Sequence, residues 1–213
     1  MPEDFCVLLE GGSGEYEEKK SRFIATLRPV KNEEEANAFI AEMKKKYWDA
    51  RHNCSAYIIG KRGELTRCSD DGEPSGTAGR PMLEVLSGSG VKNAAVVVTR
   101  YFGGTLLGTG GLVRAYTTAV KEALAGAKLG RVAEGIEIEV IADYNDIGKI
   151  QYILEKKGIK PEKTDYGADV SLYLRVRISE AESLEKELTE ATAGRCLITR
   201  GDPCEIIIEL CQS

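Results

Sequence analysis

Two stretches of the chain combine charged side chains with glycines, a composition that suits the binding of anions or cations. The first runs from Ser69 to Leu83 (SDDGEPSGTAGRPML) and carries three carboxylates, at Asp70, Asp71 and Glu73. Carboxylates this close repel one another unless a cation, backbone N–H groups or water meets them. Oxygen ligands are those that magnesium and calcium prefer. We therefore weigh a magnesium site against a solvated acidic turn and against a carboxylate that orients a nearby arginine.

The second stretch, Arg100 to Tyr116, reads RYFGGTLLGTGGLVRAY. Arg100 and Arg114 flank five glycines, whose cost in chain entropy indicates positive φ angles or a close backbone approach. The apolar run 94–98 before it is typical of a strand buried on both faces, and the residues after it have the spacing of an amphipathic helix. A glycine-rich loop at a helix N-terminus presents free N–H groups and the positive end of the helix dipole, which suit an anion. The five glycines are Gly103, Gly104, Gly108, Gly110 and Gly111.

The acidic stretch also leads into a helix, because Gly76, Thr77 and Gly79 precede apolar residues that continue to Leu86. Two such helix starts in one small domain predict a single hollow that receives an anion, with bidentate contacts from arginines and N–H groups from glycines. The alternative is that the glycines serve only turns and packing. The predicted binding residues are Arg100, Gly103, Gly104, Gly110, Gly111, Arg114, Thr77, Arg80 and His52. The predicted ligands of a possible magnesium ion are Asp70, Asp71 and Glu73, and no other cofactor is expected.

His52, the single histidine, shares a strand face with Cys54 because side chains alternate with a period of two. A cysteine and a histidine can act as nucleophile and base. The sequence identifies no third member of such a set, so we expect a structural thiol at Cys54. His52 stays a candidate for the pocket.

The composition, with 42% hydrophobic and 30% charged residues among 213, predicts a soluble globular protein. No apolar run reaches the roughly 20 residues of a membrane span, and the N-terminal residues have no signal-peptide pattern, so we expect a cytoplasmic protein. The cysteines are scattered and no CxxC pair occurs, which argues against structural zinc. Residues 1–133 carry 19 basic and 17 acidic side chains and the rest of the chain carries a net charge of −7, so nucleic-acid binding would need a local basic surface in the first half. The cysteines are Cys6, Cys54, Cys68, Cys196, Cys204 and Cys211.

Local patterns divide the chain near residues 130–135. Before this point, residues 15–30 have the pattern of one opening strand, and Asn32 followed by three glutamates is typical of a helix start. After it, the elements follow the order β-α-β-β-α-β of the ferredoxin-like unit. We therefore predict an α+β protein of two domains, 1–132 and 133–213.

At SDDGEPSGTAGRPML and GVKNAAVVVTRYFGGTLLGTGGLVRAY the sequence resembles the Impact family, in particular its bacterial YigZ-type members (UPF0029). The resemblance implies a first domain like domain 2 of ribosomal protein S5. It implies a second, ferredoxin-like domain similar to the last domain of elongation factor G. It also implies an association with translational regulation and, for bacterial members, nucleic-acid binding.

Two functions compete at this point. The first is a non-enzymatic regulator associated with translation, whose glycine-rich, arginine-flanked surface binds RNA, the ribosome or a protein partner. The second is an enzyme that binds a small-molecule phosphate or a nucleotide, with magnesium held at the acidic turn. The stretch GGTLLGTGG lacks the GK[ST] of a Walker A loop, and no complete catalytic set is visible, so we expect the first.

Overall fold

The computed structural model describes residues 5–210 as a mixed α+β protein with two sheets and five helices. Two compact units divide this part of the chain, an N-terminal unit of Phe5–Arg131 with 209–210 and a C-terminal unit of Val132–Ile208. The predicted domains, 1–132 and 133–213, include residues 1–4 and 211–213, which lie outside the described part of the chain. Cys211 is one of these residues.

The N-terminal unit is built on a five-stranded sheet of order β2-β3-β7-β4-β5, in which every neighbouring pair is antiparallel. Its strands are β2 (Ser13–Glu18), β3 (Ser21–Pro29), β4 (His52–Ile59), β5 (Leu65–Ser69) and β7 (Ala94–Tyr101), and β1 (Phe5–Glu10) pairs in parallel with the short β6 (Val91–Lys92). Its helices are α1 (Glu33–Lys46), α2 (Gly79–Gly88) and α3 (Gly108–Ala125).

Helices cover both faces of this sheet. Alternate residues of β3 and β7, such as Phe23, Val96 and Val98, pack against α2 and α3, while their neighbours pack against α1. The central strand β7 is therefore buried along nearly its whole length, as its continuous apolar run predicts.

One end of the sheet gathers all the predicted site segments. The register pairs Phe23 with Arg100 and Arg100 with His52, so the start of β3, the end of β7 and the start of β4 lie side by side. The acidic turn follows β5 and the glycine-rich loop follows β7 at this same end. We call the exposed residues here (19–20, 45–51 and 102–114) the sheet-end surface.

The predicted single strand over residues 15–30 is wrong. The chain reverses at Lys19 and Lys20, whose φ angles of 48° and 64° are left-handed, so residues 13–29 form the hairpin of β2 and β3. Lysine has no special preference for this conformation, so the residue types alone do not mark the turn.

The C-terminal unit has the predicted order β-α-β-β-α-β, from β8 (Lys128–Ala142) to β11 (Leu197–Glu209). Its strands lie in the order β9-β10-β8-β11 and pack one face on two helices. The intervening elements are α4 (Tyr144–Lys156), β9 (Lys163–Tyr166), β10 (Val170–Arg177) and α5 (Ile178–Ala191).

Candidate functional site

The acidic turn is fixed to the sheet by a buried polar cluster centred on Glu73. The Oε1 atom of Glu73 accepts hydrogen bonds from Arg100 Nη1 at 2.6 Å and from the hydroxyl of Tyr116 at 2.9 Å. Only 6% of Arg100 is exposed, and its guanidinium carbon lies 5.4 Å from the ring centroid of Phe23 and 5.6 Å from that of Phe102. Arg100, predicted as a surface contact for a ligand anion, is instead a buried partner of a carboxylate within the protein.

His52 and Cys54 hold the backbone of the same turn. His52 Nδ1 lies 2.9 Å from the carbonyl oxygen of Asp71, and because a carbonyl can only accept, Nδ1 carries the proton. The Sγ atom of Cys54 lies 3.0 Å from the carbonyl oxygen of Asp70, and burial raises the pKa of this thiol to about 12. A thiol with this pKa is not a nucleophile at neutral pH, in line with the structural role expected of Cys54.

Asp70 occupies the N-terminus of α2. Its Oδ1 accepts hydrogen bonds from the N–H groups of Ala78 and Gly79 at 3.0 and 2.8 Å, and its Oδ2 accepts from Gly76 at 2.9 Å. Burial alone would raise the pKa of Asp70, but these three donors lower it overall. Since the N-cap residue Ala78 makes no side-chain bond, Asp70 supplies the anion that this helix start receives. The prediction that this helix start is open to a ligand is therefore wrong.

The remaining members of the acidic stretch also have partners within the protein. Asp71 accepts from Lys44 Nζ at 2.5 Å and from the N–H of Asn53 at 2.7 Å. Burial alone would raise the pKa of Asp71, but these two hydrogen bonds and the positive charge of Lys44 lower it overall. The hydroxyl of the buried Thr77 donates to the carbonyl of Pro74 at 2.7 Å, and the exposed Arg80 pairs with Glu84 on the next turn of α2. Thr77 and Arg80 therefore both have partners within the protein.

The acidic turn does not have the geometry of the proposed magnesium site. Within residues 5–210, no group of three His, Cys, Asp or Glu side chains is placed to hold a metal ion. Asp70, Asp71 and Glu73 direct their oxygens to a helix start, a lysine and an arginine respectively, so no common point remains for a cation. Of the three possibilities for this turn, the orientation of Arg100 by Glu73 is the one found.

The start of α3 differs from that of α2 because nothing in the described chain caps it. Its N-cap residue Leu107 makes no side-chain bond, and its first turn carries no acidic residue. Gly108 and Gly110 are exposed and have no atom within 4 Å of an added Cβ. The first N–H groups of a helix have no intrahelical acceptor, so this start remains able to receive an anion.

The glycines of the loop before α3 have two different roles. A Cβ on Gly103 would lie 2.1 Å from the carbonyl carbon of Lys20, and the Gly103 N–H donates to Ser21 Oγ, so this residue packs the loop onto the β2–β3 turn. Gly104, by contrast, lies in open space with φ of 87°. Gly111 is half-buried and Arg114 is exposed on the next turn of α3.

Tyr116 is a member of the cluster that the sequence pattern did not identify. It occupies an apolar stripe with Leu112 and Ala119, which predicts core packing alone. The hydroxyl of Tyr116 could have indicated this role, because a tyrosine buried in an apolar stripe usually has a hydrogen-bond partner.

Two domain families match separate parts of this chain. The model of the Impact N-terminal domain matches residues 19–124, and that of a domain of unknown function, DUF1949, matches residues 140–195.

No helix in residues 5–210 is long and apolar enough to cross a membrane.

Relatives align along nearly the full chain. IMPACT family member YvyE of Bacillus subtilis is 41% identical over 207 residues, covering 95% of this chain and 93% of the relative. IMPACT family member YigZ of Escherichia coli is 38% identical over 178 residues, covering 83% and 87%. A crystal structure of a hypothetical protein, 35% identical, covers 93% of this chain and 97% of its own with a TM-score of 0.60. The chain belongs to the Impact family and is similar to its bacterial members YvyE and YigZ.

Proposed function

We propose that this protein is a non-enzymatic, translation-associated regulator whose N-terminal unit binds RNA through the sheet-end surface. The translational role follows from membership of the Impact family, and the RNA contact from the chemistry of the surface. The observation that carries the proposal is the uncapped start of α3, which lies beside exposed cations without ion-pair partners. Phosphate groups are the anions that RNA presents to such a surface.

The charge balance of this surface is positive although the whole chain is acidic. Within residues 5–210, no ion pair engages the exposed side chains of Lys19, Lys20, Lys45, Arg51 or Arg114. The nearby acidic groups, in contrast, have partners of their own. These pairs are Glu15 with Arg22, Glu18 with Tyr16, Asp49 with Tyr101 and Asp71 with Lys44. The surface therefore presents several cations to solvent, and Asp49 is the single carboxylate within its residues.

A titration of labelled RNA at several salt concentrations tests the proposal. Neutralising phosphates releases counterions, so the logarithm of the affinity should fall linearly with the logarithm of the salt concentration. Arg51→Glu and Arg114→Glu should each weaken binding and flatten this slope, by about 0.7 per lost phosphate contact on a single strand. Lys186→Glu, which reverses an exposed charge of the C-terminal unit, is the matched control and should leave both quantities unchanged.

Affinity equal to that of a neutral control protein, with no salt dependence, would remove the RNA proposal. If RNA fails to bind but the same two substitutions abolish capture of a translation-related protein, the surface serves a protein partner instead.

A further inference from the structure

We propose that the nucleic acid bound at the sheet-end surface is single-stranded and that Trp48 and Phe102 are the side chains on which its bases stack. This inference rests on the proposed function and names the class of RNA. It starts from two exposed aromatic side chains, Trp48 and Phe102, of which Phe102 also contacts the guanidinium of Arg100.

Trp48 is the single tryptophan of the chain, and 82% of its surface is exposed. It lies between α1 and β4 in a turn held by two backbone bonds, from Tyr47 N–H to the carbonyl of Met43 and from Ala50 N–H to the carbonyl of Tyr47. The hydroxyl of Tyr101 donates to Asp49 at 2.8 Å and ties this turn to the end of β7. The indole is thus presented to solvent by a fixed backbone.

Phe102 follows Tyr101 directly and begins the glycine-rich loop. Its ring centroid lies 5.6 Å from the guanidinium carbon of Arg100, and 45% of the residue stays exposed. Because Tyr101 bonds to Asp49, the residue next to Trp48, the segments that carry the two exposed rings meet at the end of β7. Contact with the buried arginine restricts the Phe102 ring while leaving part of it accessible.

The charges around these rings complement a phosphate chain. Lys45 and Arg51 lie within three residues of Trp48, are exposed, and have no ion-pair partner in the described chain. Proteins bind single strands by combining cations that follow the backbone with aromatic rings that stack on bases. In a duplex the bases are stacked on one another and are not available to side chains. Exposed rings among unpaired cations therefore favour a single strand.

The emission of Trp48 reports directly on this contact because no other tryptophan contributes. We would titrate the full chain with a labelled oligouridylate, with the same oligonucleotide annealed to its complement, and with inorganic polyphosphate. The fluorescence anisotropy of the label would measure binding of the single strand and the duplex independently of the tryptophan. Polyphosphate binding would be measured by its competition with the labelled single strand. The single strand should quench Trp48 and bind at least 10-fold more tightly than the duplex, if each stacked base contributes about 1–3 kcal/mol. Polyphosphate should compete without the same quenching.

Substitutions separate stacking from charge. Trp48→Ala and Phe102→Ala should each weaken single-strand binding by about 5- to 150-fold, and Trp48→Phe should retain most of the affinity. Tyr166→Ala, which removes a ring that is 69% exposed in the C-terminal unit, is the control and should have no effect. Circular dichroism of each variant verifies the fold.

Binding of RNA with unchanged Trp48 emission and wild-type affinity in Trp48→Ala would overturn this inference and leave the proposed function standing. Equal affinity for the duplex would do the same. An absence of binding to every RNA would instead remove both.

Discussion

Glu73 and Arg100, which are 27 positions apart in the chain, form a buried ion pair with 2.6 Å between Glu73 Oε1 and Arg100 Nη1. Their side chains are 3% and 7% exposed, so both charges are almost fully removed from solvent. The pair connects the acidic turn to the end of the central strand, and Tyr116 adds α3 to the same carboxylate oxygen. The turn, the sheet and a helix are therefore held by one group.

Arg100→Met should destabilise the N-terminal unit by about 3–5 kcal/mol, because it leaves the carboxylate of Glu73 buried without its cation. The double substitution Arg100→Met with Glu73→Gln should cost less than Arg100→Met alone, since no charge then remains buried. Urea unfolding of the full chain measures both, with the exposed Arg80→Met as a control that should change stability by less than about 0.5 kcal/mol. A double variant no more stable than the single one would contradict the pairing.

Asp70→Ala should destabilise α2, because three backbone N–H groups lose their acceptor and the helix loses its only anion at the N-terminus among the described residues. We expect a loss of about 0.5–2 kcal/mol, the range measured for N-cap residues. Amide hydrogen exchange at Gly76, Ala78 and Gly79 should accelerate. The exposed Asp202→Ala serves as the control, and unchanged exchange at the three amides would show that Asp70 does not cap the helix.

Asp146 provides a pH-dependent contribution to the C-terminal unit. Hydrogen bonds from Arg195 first, and then from Lys149, lower its pKa from 3.8 to about 2. Because the pKa of Asp146 is lower in the folded protein than in the unfolded chain, its ionised carboxylate stabilises the fold at pH values above 3.8. This stabilisation is lost as the pH falls from 3.8 to about 2. Asp146→Asn should therefore be less stable than the wild type at neutral pH, with the difference shrinking over this window. A difference that stays constant down to pH 2 in denaturant titrations would refute the assignment.

Cys54 and Cys68 should differ sharply in reactivity. Burial raises the pKa of the Cys54 thiol to about 12, whereas Cys68 is exposed on the edge strand β5. Iodoacetamide should modify Cys68 in the native protein and reach Cys54 only after unfolding, since the thiolate is the reactive form. Peptide mass mapping after timed alkylation measures both rates. Comparable native rates would mean that the cluster around Cys54 opens.

Gly103 and Gly110 form a matched pair within one loop and helix start. Gly103→Ala should destabilise the unit, because the new Cβ would lie 2.1 Å from backbone atoms of Lys20. Gly110→Ala should be neutral or stabilising by up to about 1 kcal/mol, because no atom lies within 4 Å and alanine favours the helix. Thermal unfolding of both variants tests whether Gly103 is tightly packed and Gly110 is not. Equal changes in the melting temperature would contradict these roles.

Local chemistry predicted much of the fold because its causes lie within a few residues. Asn32 caps α1 as expected, accepting from the N–H of Glu35 at 2.8 Å. The continuous apolar run of β7 is buried on both faces, and the periodicity after residue 133 yields the six predicted elements. The reversal at Lys19 and Lys20 was missed because lysines carry no turn signal, and their left-handed backbone is accepted only in the context of the hairpin.

The sequence by itself determined which segments carry charge beside glycine, and it identified the family through them. Only the tertiary structure decided which charges remain available. Asp70 accepts hydrogen bonds from the start of α2, although it lies eight residues earlier in the chain. Glu73 pairs with Arg100 inside the protein. The start of α3, in contrast, has no side-chain cap from its N-cap residue. The same residue types can form a site for an external anion or an ion pair inside the protein. Which of the two forms depends on whether another part of the chain brings a partner within hydrogen-bonding distance. That depends on the register of β3, β7 and β4, which no local pattern encodes.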